Sequence, residues 1–116
     1  MTDLATFLTR EIAGGRVVEA RGEIDIANAG DLRTALNAAL DGVDVLIVSL
    51  SDISYLDSSA LGVLIQVTRQ SLTQRRKLLL VAPRESSAGK LLQIAAVDQI
   101  APIYQTIDDA KLTLAD

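Results

Sequence analysis

Three consecutive polar residues, Asp57, Ser58 and Ser59, separate an apolar run from an apolar helical pattern. Asp and Ser are preferred helix N-caps, because their side-chain oxygens accept hydrogen bonds from the free N–H groups of the first turn. A serine hydroxyl there could instead carry a phosphate, which the helix dipole would stabilise and the free N–H groups could bind. The spacing by itself favours a cap over a phosphorylation site, and it does not distinguish Ser58 from Ser59 as the phosphate acceptor.

The composition excludes most catalytic chemistry. The 116 residues include no histidine and no cysteine, so Cys/His zinc sites, thiolate nucleophiles and Ser-His-Asp triads are excluded. The sequence also contains no paired-acid constellation and no phosphate loop of the form GxxxxGKS/T. We therefore expect a protein that is not an enzyme and that needs no metal or other cofactor.

Charge and hydropathy indicate which partners the protein does not bind. The net charge is −4 and the only aromatic residues are Phe7, Tyr55 and Tyr104, which disfavours nucleic-acid binding. The one basic cluster, Arg75 to Lys77, is expected to be a solvated turn after a helix.

No apolar run approaches the ~18 residues that span a bilayer, and the N-terminus does not resemble a signal peptide. These features predict a cytoplasmic protein without direct membrane insertion, folded as one domain over residues 1–116.

Hydrophobic periodicity predicts the elements that position the Asp-Ser-Ser segment. Strands over 4–12 and 16–22 would form a hairpin around a Gly-Gly turn, followed by a helix that ends at Asp41-Gly42. The short apolar stretch 43–50 is typical of a central strand buried on both faces between parallel neighbours. The segment 57–59 follows this strand, and functional sites of α/β sheets favour the carboxyl ends of strands.

The second half of the chain continues the alternation of strands and helices. The helix after Ser59 has an apolar stripe, with these members: Leu61, Leu64, Ile65, Thr68 and Leu72. Next come a strand over 77–83, a helix over 86–97 capped by Ser86 or Ser87, a last strand within 100–106 and a helix capped by Thr106. The order predicts an α/β fold with one small mixed sheet, parallel in its centre.

Two segments resemble those of a known family, the STAS-domain anti-sigma factor antagonists of the sporulation and general stress type. The segment 52–66, DISYLDSSALGVLIQ, is similar to the family signature of an apolar residue followed by Asp-Ser-Ser/Thr-Gly-Leu-Gly. The segment 22–36, GEIDIANAGDLRTAL, resembles the family's Gly-Glu-Leu/Ile-Asp block. The resemblance covers nearly the whole chain. It implies a mixed sheet with an N-terminal hairpin and about four helices packed mainly on one face.

The resemblance also implies a phosphorylation switch. In the family, the serine after the motif aspartate, here Ser58, is phosphorylated by an anti-sigma factor that is also a serine kinase of the GHKL type. The unphosphorylated antagonist binds this kinase and frees the sigma factor, and a PPM-type phosphatase that uses Mn or Mg resets the switch. Ser59 is the alternative acceptor. The implied partner-binding residues are Asp57, Ser58, Ser59, Ala60, Gly22, Glu23 and Asp25.

One position departs from the family pattern. The family usually has Gly after the Ser-Ser/Thr pair, where this chain has Ala60. Alanine favours a helix by ~1 kcal/mol over glycine in a helix interior, and its methyl group is expected to crowd a partner. The departure leaves the cognate kinase and pathway open. It leaves two other hypotheses open as well: a STAS interaction subunit of a lipid or anion transporter system, and a nucleotide-binding role for the same pocket.

Overall fold

The computed structural model describes residues 4–114, so the first three and last two residues of the predicted domain lie outside the described part. Five strands and four helices alternate after an initial hairpin. In chain order they are β1 (Ala5–Ile12), β2 (Gly15–Ile24), α1 (Ala29–Leu40), β3 (Val45–Leu56), α2 (Ser58–Thr73), β4 (Lys77–Val81), α3 (Ser87–Ile94), β5 (Ile103–Tyr104) and α4 (Ile107–Leu112). A single 3₁₀ turn, Val97–Gln99, lies between α3 and β5.

The strands form one mixed sheet in the order β1-β2-β3-β4-β5. β1 and β2 are antiparallel and are joined by a two-residue turn in which Gly14 has a φ of 88°. All the other neighbouring strands are parallel. The predicted α/β fold with an N-terminal hairpin and a parallel centre is confirmed.

β3 is the central strand and is buried on both faces. Leu46, Val48 and Leu50 belong to the larger core on one face of the sheet, and Ile47 belongs to the smaller core on the other. The strand continues to Leu56, six residues beyond its predicted end. The predicted strand ended too early because polar residues follow Leu50. Such residues are typical of a loop when the strands that pair with them are unknown.

The helices lie mainly on one face, as expected. α1, α2 and α3 bury their apolar sides in the larger core. α4 packs on the opposite face, where Ala110 lies in the smaller core with Val17 and Ile47. The sheet therefore carries a thick helical layer on one side and a thin, partial one on the other.

The buried face of α2 differs from the predicted stripe. Leu72 was predicted to face the core but is 53% exposed, whereas Ser71 and Thr68 are buried. Their hydroxyls donate to the carbonyls of Val67 and Leu64 at 2.7 Å, so both polar groups are satisfied without water. Apolar residues occur on several sides of this helix, and its packing on the sheet selects the side that is buried.

The C-terminal elements are shorter than predicted. α3 ends at Ile94, not Val97, because Ala96 adopts a left-handed conformation with a φ of 57°. β5 contains only two residues of the predicted segment 100–106. Both cap predictions are correct: Ser86 accepts from the Gly89 N–H, and Thr106 accepts from the Asp109 N–H, each at 3.0 Å.

Two helical glycines should respond in opposite ways to alanine substitution. A Cβ atom at Gly89 would overlap the carbonyl oxygen of Pro83, whereas no atom lies near the corresponding position at Gly62. We expect Gly89→Ala to lower the free energy of unfolding by about 1–3 kcal/mol, since the overlap must be relieved by backbone movement. Gly62→Ala should raise it by about 0.5–1 kcal/mol, because alanine is the better helix former. Urea denaturation of both variants tests the pair, and equal effects would contradict the packing of α3.

Candidate functional site

The candidate site forms where the carboxyl ends of β2 and β3 meet. These strands are parallel, and their last paired residues are Ile24 and Leu56. The backbone N–H of Asp57 then donates to the carbonyl of Ile24 at 3.2 Å. This bond joins the end of β2 to the start of α2, so the loop that begins at Asp25 and the residue Ser58 border the same surface. The structure brings together the two segments that were predicted separately.

Asp57 is the N-cap of α2. Its carboxylate accepts from the N–H groups of Ser59 at 2.9 Å and Ala60 at 3.1 Å, and its carbonyl accepts from Leu61 at 3.0 Å. Three of the four N–H groups of the first turn are therefore occupied by Asp57. Two of the donors that a phosphate on this helix was expected to bind, the N–H groups of Ser59 and Ala60, already bond to the cap carboxylate.

The two serines differ in exposure. Ser58 is the first residue of α2 and its side chain is exposed, whereas Ser59 is half-buried. The structure therefore presents the Ser58 hydroxyl to an approaching protein more openly than the Ser59 hydroxyl.

Gly22 has a structural role that requires glycine. Its φ is 101°, and a Cβ atom at this position would overlap the carbonyl oxygen of Leu4. The same carbonyl accepts from the Glu23 N–H at 2.8 Å, and Ser54 donates to the Gly22 carbonyl at 3.2 Å. Gly22 lies where the register between β2 and β3 shifts by one residue, since Gly22 pairs with Ile53 and Glu23 pairs with Tyr55. The Glu23 side chain beside it is exposed.

The loop after β2 is held by Asn28, a residue that the sequence analysis did not single out. Its Oδ1 accepts from the Asp25 N–H at 2.8 Å, and its Nδ2 donates to the Glu23 carbonyl at 2.9 Å. The Asp25 carboxylate in turn accepts from the Ala27 N–H at 2.8 Å. Asn directly before a helix is a signal that could have identified this residue, since Asn side chains bond readily to nearby backbone. The loop is thus fixed by its own side chains.

Two large apolar side chains were also missed. Ile26, in this fixed loop, is 80% exposed, and Tyr55, the residue before the end of β3, is 50% exposed. Exposed aliphatic and aromatic side chains near a polar site are typical of protein contact surfaces. The sequence does not separate them from core residues, because apolar residues of the same kind next to them, Ile24 and Leu56, are buried.

Ala60 does not belong to this surface. Its residue exposure is 0% and its methyl group packs in the larger core. The expectations that Ala60 contacts a partner and that its methyl group crowds one are contradicted by this burial. The third residue of α2 faces the sheet, so replacing Gly by Ala at this position fills the core and leaves the outer surface unchanged.

The site offers no metal-binding geometry. Within residues 4–114, no cluster of three or more His, Cys, Asp or Glu side chains could hold a metal ion. In the same part of the chain, no helix is both long enough and apolar enough to cross a membrane.

The cap role of Asp57 can be measured separately from any partner. We expect Asp57→Ala to lower the free energy of unfolding by about 0.5–2 kcal/mol, because two N–H groups lose their acceptor. Asp57→Asn keeps an acceptor oxygen and should lie close to wild type. Ser58→Ala should change stability by less than about 0.5 kcal/mol, since Ser58 is exposed. Denaturant titration measures these free energies of unfolding. Equal stability of Asp57→Ala and Asp57→Asn would contradict the role of Asp57 as the cap of α2.

Comparison with known proteins agrees with this fold and site. Residues 6–110 match the family model described as the STAS domain. A Thermotoga neapolitana protein, provisionally named an anti-sigma factor antagonist and homologue of TM1081, is 32% identical over 69 residues. That match covers 60% of this chain and spans 60% of the relative's length.

Solved structures resemble the chain over nearly its whole length. The crystal structure of an anti-sigma factor antagonist from Mycobacterium paratuberculosis superposes with a TM-score of 0.86, at 28% identity, covering 97% of this chain and 95% of the other. TM1081 from Thermotoga maritima, provisionally described in the same way, gives a TM-score of 0.76 at 26% identity, covering 95% of each chain. The family match includes both segments that carried the resemblance, 22–36 and 52–66. The chain therefore belongs to the STAS domain family.

Proposed function

We propose that this protein is an anti-sigma factor antagonist that binds an anti-sigma factor when Ser58 is unmodified and releases it when Ser58 is phosphorylated. The observation that carries the proposal is the exposed Ser58 hydroxyl at the start of α2, directly after the cap Asp57. The relatives named above support the first part, since all three bear the name of anti-sigma factor antagonists.

The binding surface combines an apolar contact with a polar border. Ile26, in the loop after β2, and Tyr55, near the end of β3, supply exposed apolar area. Ser58, Glu23 and the half-buried Asp25 supply polar groups around them. Such a combination suits a partner that buries apolar side chains at its centre and exchanges hydrogen bonds at its rim. The loop needs little ordering on binding, because Asn28 already fixes it.

Phosphorylation acts on this surface by charge and volume. A phosphate on Ser58 adds about −1.5 to −2 charges. The Asp57 carboxylate lies beside it and occupies the N–H groups of Ser59 and Ala60, so the phosphate must compete with that carboxylate for these donors and is repelled by its charge. This repulsion favours an outward position of the phosphate, in the space that the partner needs. The backbone of the antagonist stays unchanged, and release of the partner needs no unfolding.

The proposed partners follow from the family resemblance. The anti-sigma factor is a serine kinase of the GHKL type that both binds Ser58 and phosphorylates it. A PPM-type phosphatase with Mn or Mg removes the phosphate. Both reactions take place in the cytoplasm, where sigma factors act. The antagonist has no catalytic role of its own in this cycle.

Substitutions at Ser58 test the switch. We expect Ser58→Ala to bind the purified kinase like wild type but to take up no phosphate from ATP. Ser58→Asp should bind at least about tenfold more weakly, because it places a permanent charge at the interface. Ser87→Asp is the matched control, since Ser87 is also an exposed first residue of a helix, α3. Titration calorimetry and phosphopeptide mapping provide the measurements.

The outcomes separate the alternatives. Equal binding by Ser58→Ala and Ser58→Asp would refute the switch, and phosphate found on Ser59 would refute the choice of acceptor. A pull-down from extract of the native cells, comparing wild type with Ser58→Asp, identifies the partner. Recovery of transporter subunits by both proteins would favour the transporter hypothesis over the proposed function.

A further inference from the structure

The two edges of the sheet differ in length. β5 pairs through only Leu80–Ile103 and Val81–Tyr104, so its outer edge is very short. β1 is eight residues long, contains no proline and pairs with β2 along its whole length. Its outer side carries a row of backbone N–H and C=O groups available for pairing with another strand.

The register of the hairpin identifies these outward groups. The carbonyl of Leu4 accepts from the Glu23 N–H, so the backbone of Leu4 faces β2. Because direction alternates along an antiparallel pair, every second residue after Leu4 also faces β2. The residues whose backbone groups face outward are Ala5, Phe7, Thr9 and Glu11.

Leu8, at the centre of this strand, lacks a covering element. Its side chain is 57% exposed, and Leu4 is 42% exposed. By strand alternation, Leu8 lies on the same face as α4, yet α4 packs mainly against β3, β4 and β5 and leaves Leu8 exposed. An exposed leucine in the middle of an unprotected edge strand is a feature that natural proteins usually avoid.

We propose that β1 pairs with β1 of a second copy of this chain, antiparallel, about a two-fold axis at Leu8. Each Leu8 then lies opposite its own copy, and Leu4 lies opposite Ile12. All four outward residues form hydrogen-bonded pairs, Ala5 with Glu11 and Phe7 with Thr9, each pair occurring twice by symmetry. The two five-stranded sheets become one continuous sheet of ten strands.

Side-chain chemistry selects this register. A two-fold axis perpendicular to the sheet leaves every side chain on its own face of the sheet. Residues that lie opposite each other must then share a face, so the axis passes through a residue and not between two residues. Centring on Arg10 places two guanidinium groups opposite each other, and centring on Thr9 places Leu8 opposite Arg10. Centring on Phe7 places Leu8 opposite Thr6. Centring on Thr6 pairs Leu4 with Leu8 but uses only residues 4–8, which halves the hydrogen-bonded pairs.

The charges on the strand do not block this pairing. Arg10 lies 3.9 Å from Glu19, and Glu11 is bound by Arg16 at 2.6 Å. Both charges therefore have partners within their own chain. In the register centred on Leu8 they lie opposite Thr6 and Ala5, so no like charges meet across the interface. Edge pairing alone buries little surface, and we expect a reversible dimer that forms between about 1 µM and about 1 mM.

A single cysteine tests the register directly, because the natural chain contains none. Opposed Leu8 residues would be a non-hydrogen-bonded pair with Cα atoms ~4.5 Å apart, which a disulfide can span. Leu8→Cys should therefore form a covalent dimer under mild oxidation. Thr6→Cys is the control, since its two copies would lie at least about 13 Å apart along the strands. Equal cross-linking of the two variants, or none at Leu8→Cys, would overturn the register.

Sedimentation velocity tests the dimer with native side chains at the other positions. Wild type should shift from monomer to dimer as its concentration rises. Leu8→Lys should weaken the dimer at least about tenfold, and so should Thr9→Pro, which removes an outward N–H that an edge strand can lose without unfolding. Leu112→Lys, an equal change at a leucine that is 71% exposed on α4, should keep the wild-type constant. The proposal would be overturned if the wild type stayed monomeric at about 1 mM, or if Leu8→Lys and Leu112→Lys weakened the dimer equally.

Discussion

The parallel pairing of β2 with β3 is the constraint on which the candidate site depends. β3 is buried on both faces, under α1, α2 and α3 on one side and α4 on the other, and its neighbours β2 and β4 are both parallel to it. Parallel strands end at the same edge. The loop at Asp25 and the helix start at Ser58 therefore meet there, held by the bond from the Asp57 N–H to the Ile24 carbonyl.

Asp57 connects the stability of this region to its electrostatics. As a cap it satisfies two N–H groups of α2, which fixes where the helix begins and which serine is outermost. The same carboxylate occupies two of the donors that would otherwise be free to bind a phosphate. Local helix chemistry thereby decides how a modification on Ser58 would act on a partner.

Several misjudged elements have a common physical origin. The prediction for β3 stopped at Leu50, although the strand continues to Leu56, because strand pairing with β2 supports polar residues that local composition assigns to a loop. Leu72 and Ala60 were assigned to the wrong environments for a related reason. A helix with apolar residues on several sides has no unique buried face until it packs, and the sheet then selects one. The exposure of Ile26 in a loop and of Tyr55 in a strand likewise depends on which neighbours the fold places beside them.

The sequence by itself determined the order of elements, the hairpin, the central strand, the presence of helix caps within 57–59, at Ser86 or Ser87 and at Thr106, and the family to which the chain belongs. These depend on local chemistry: side-chain periodicity, turn residues, oxygens before helices and a short motif. Only the tertiary structure decided the meeting of residues 22–25 with residues 57–59, the burial of Ala60 and the exposure of β1 as a long edge. Those features arise from contacts between residues far apart in the chain, and no local pattern contains them.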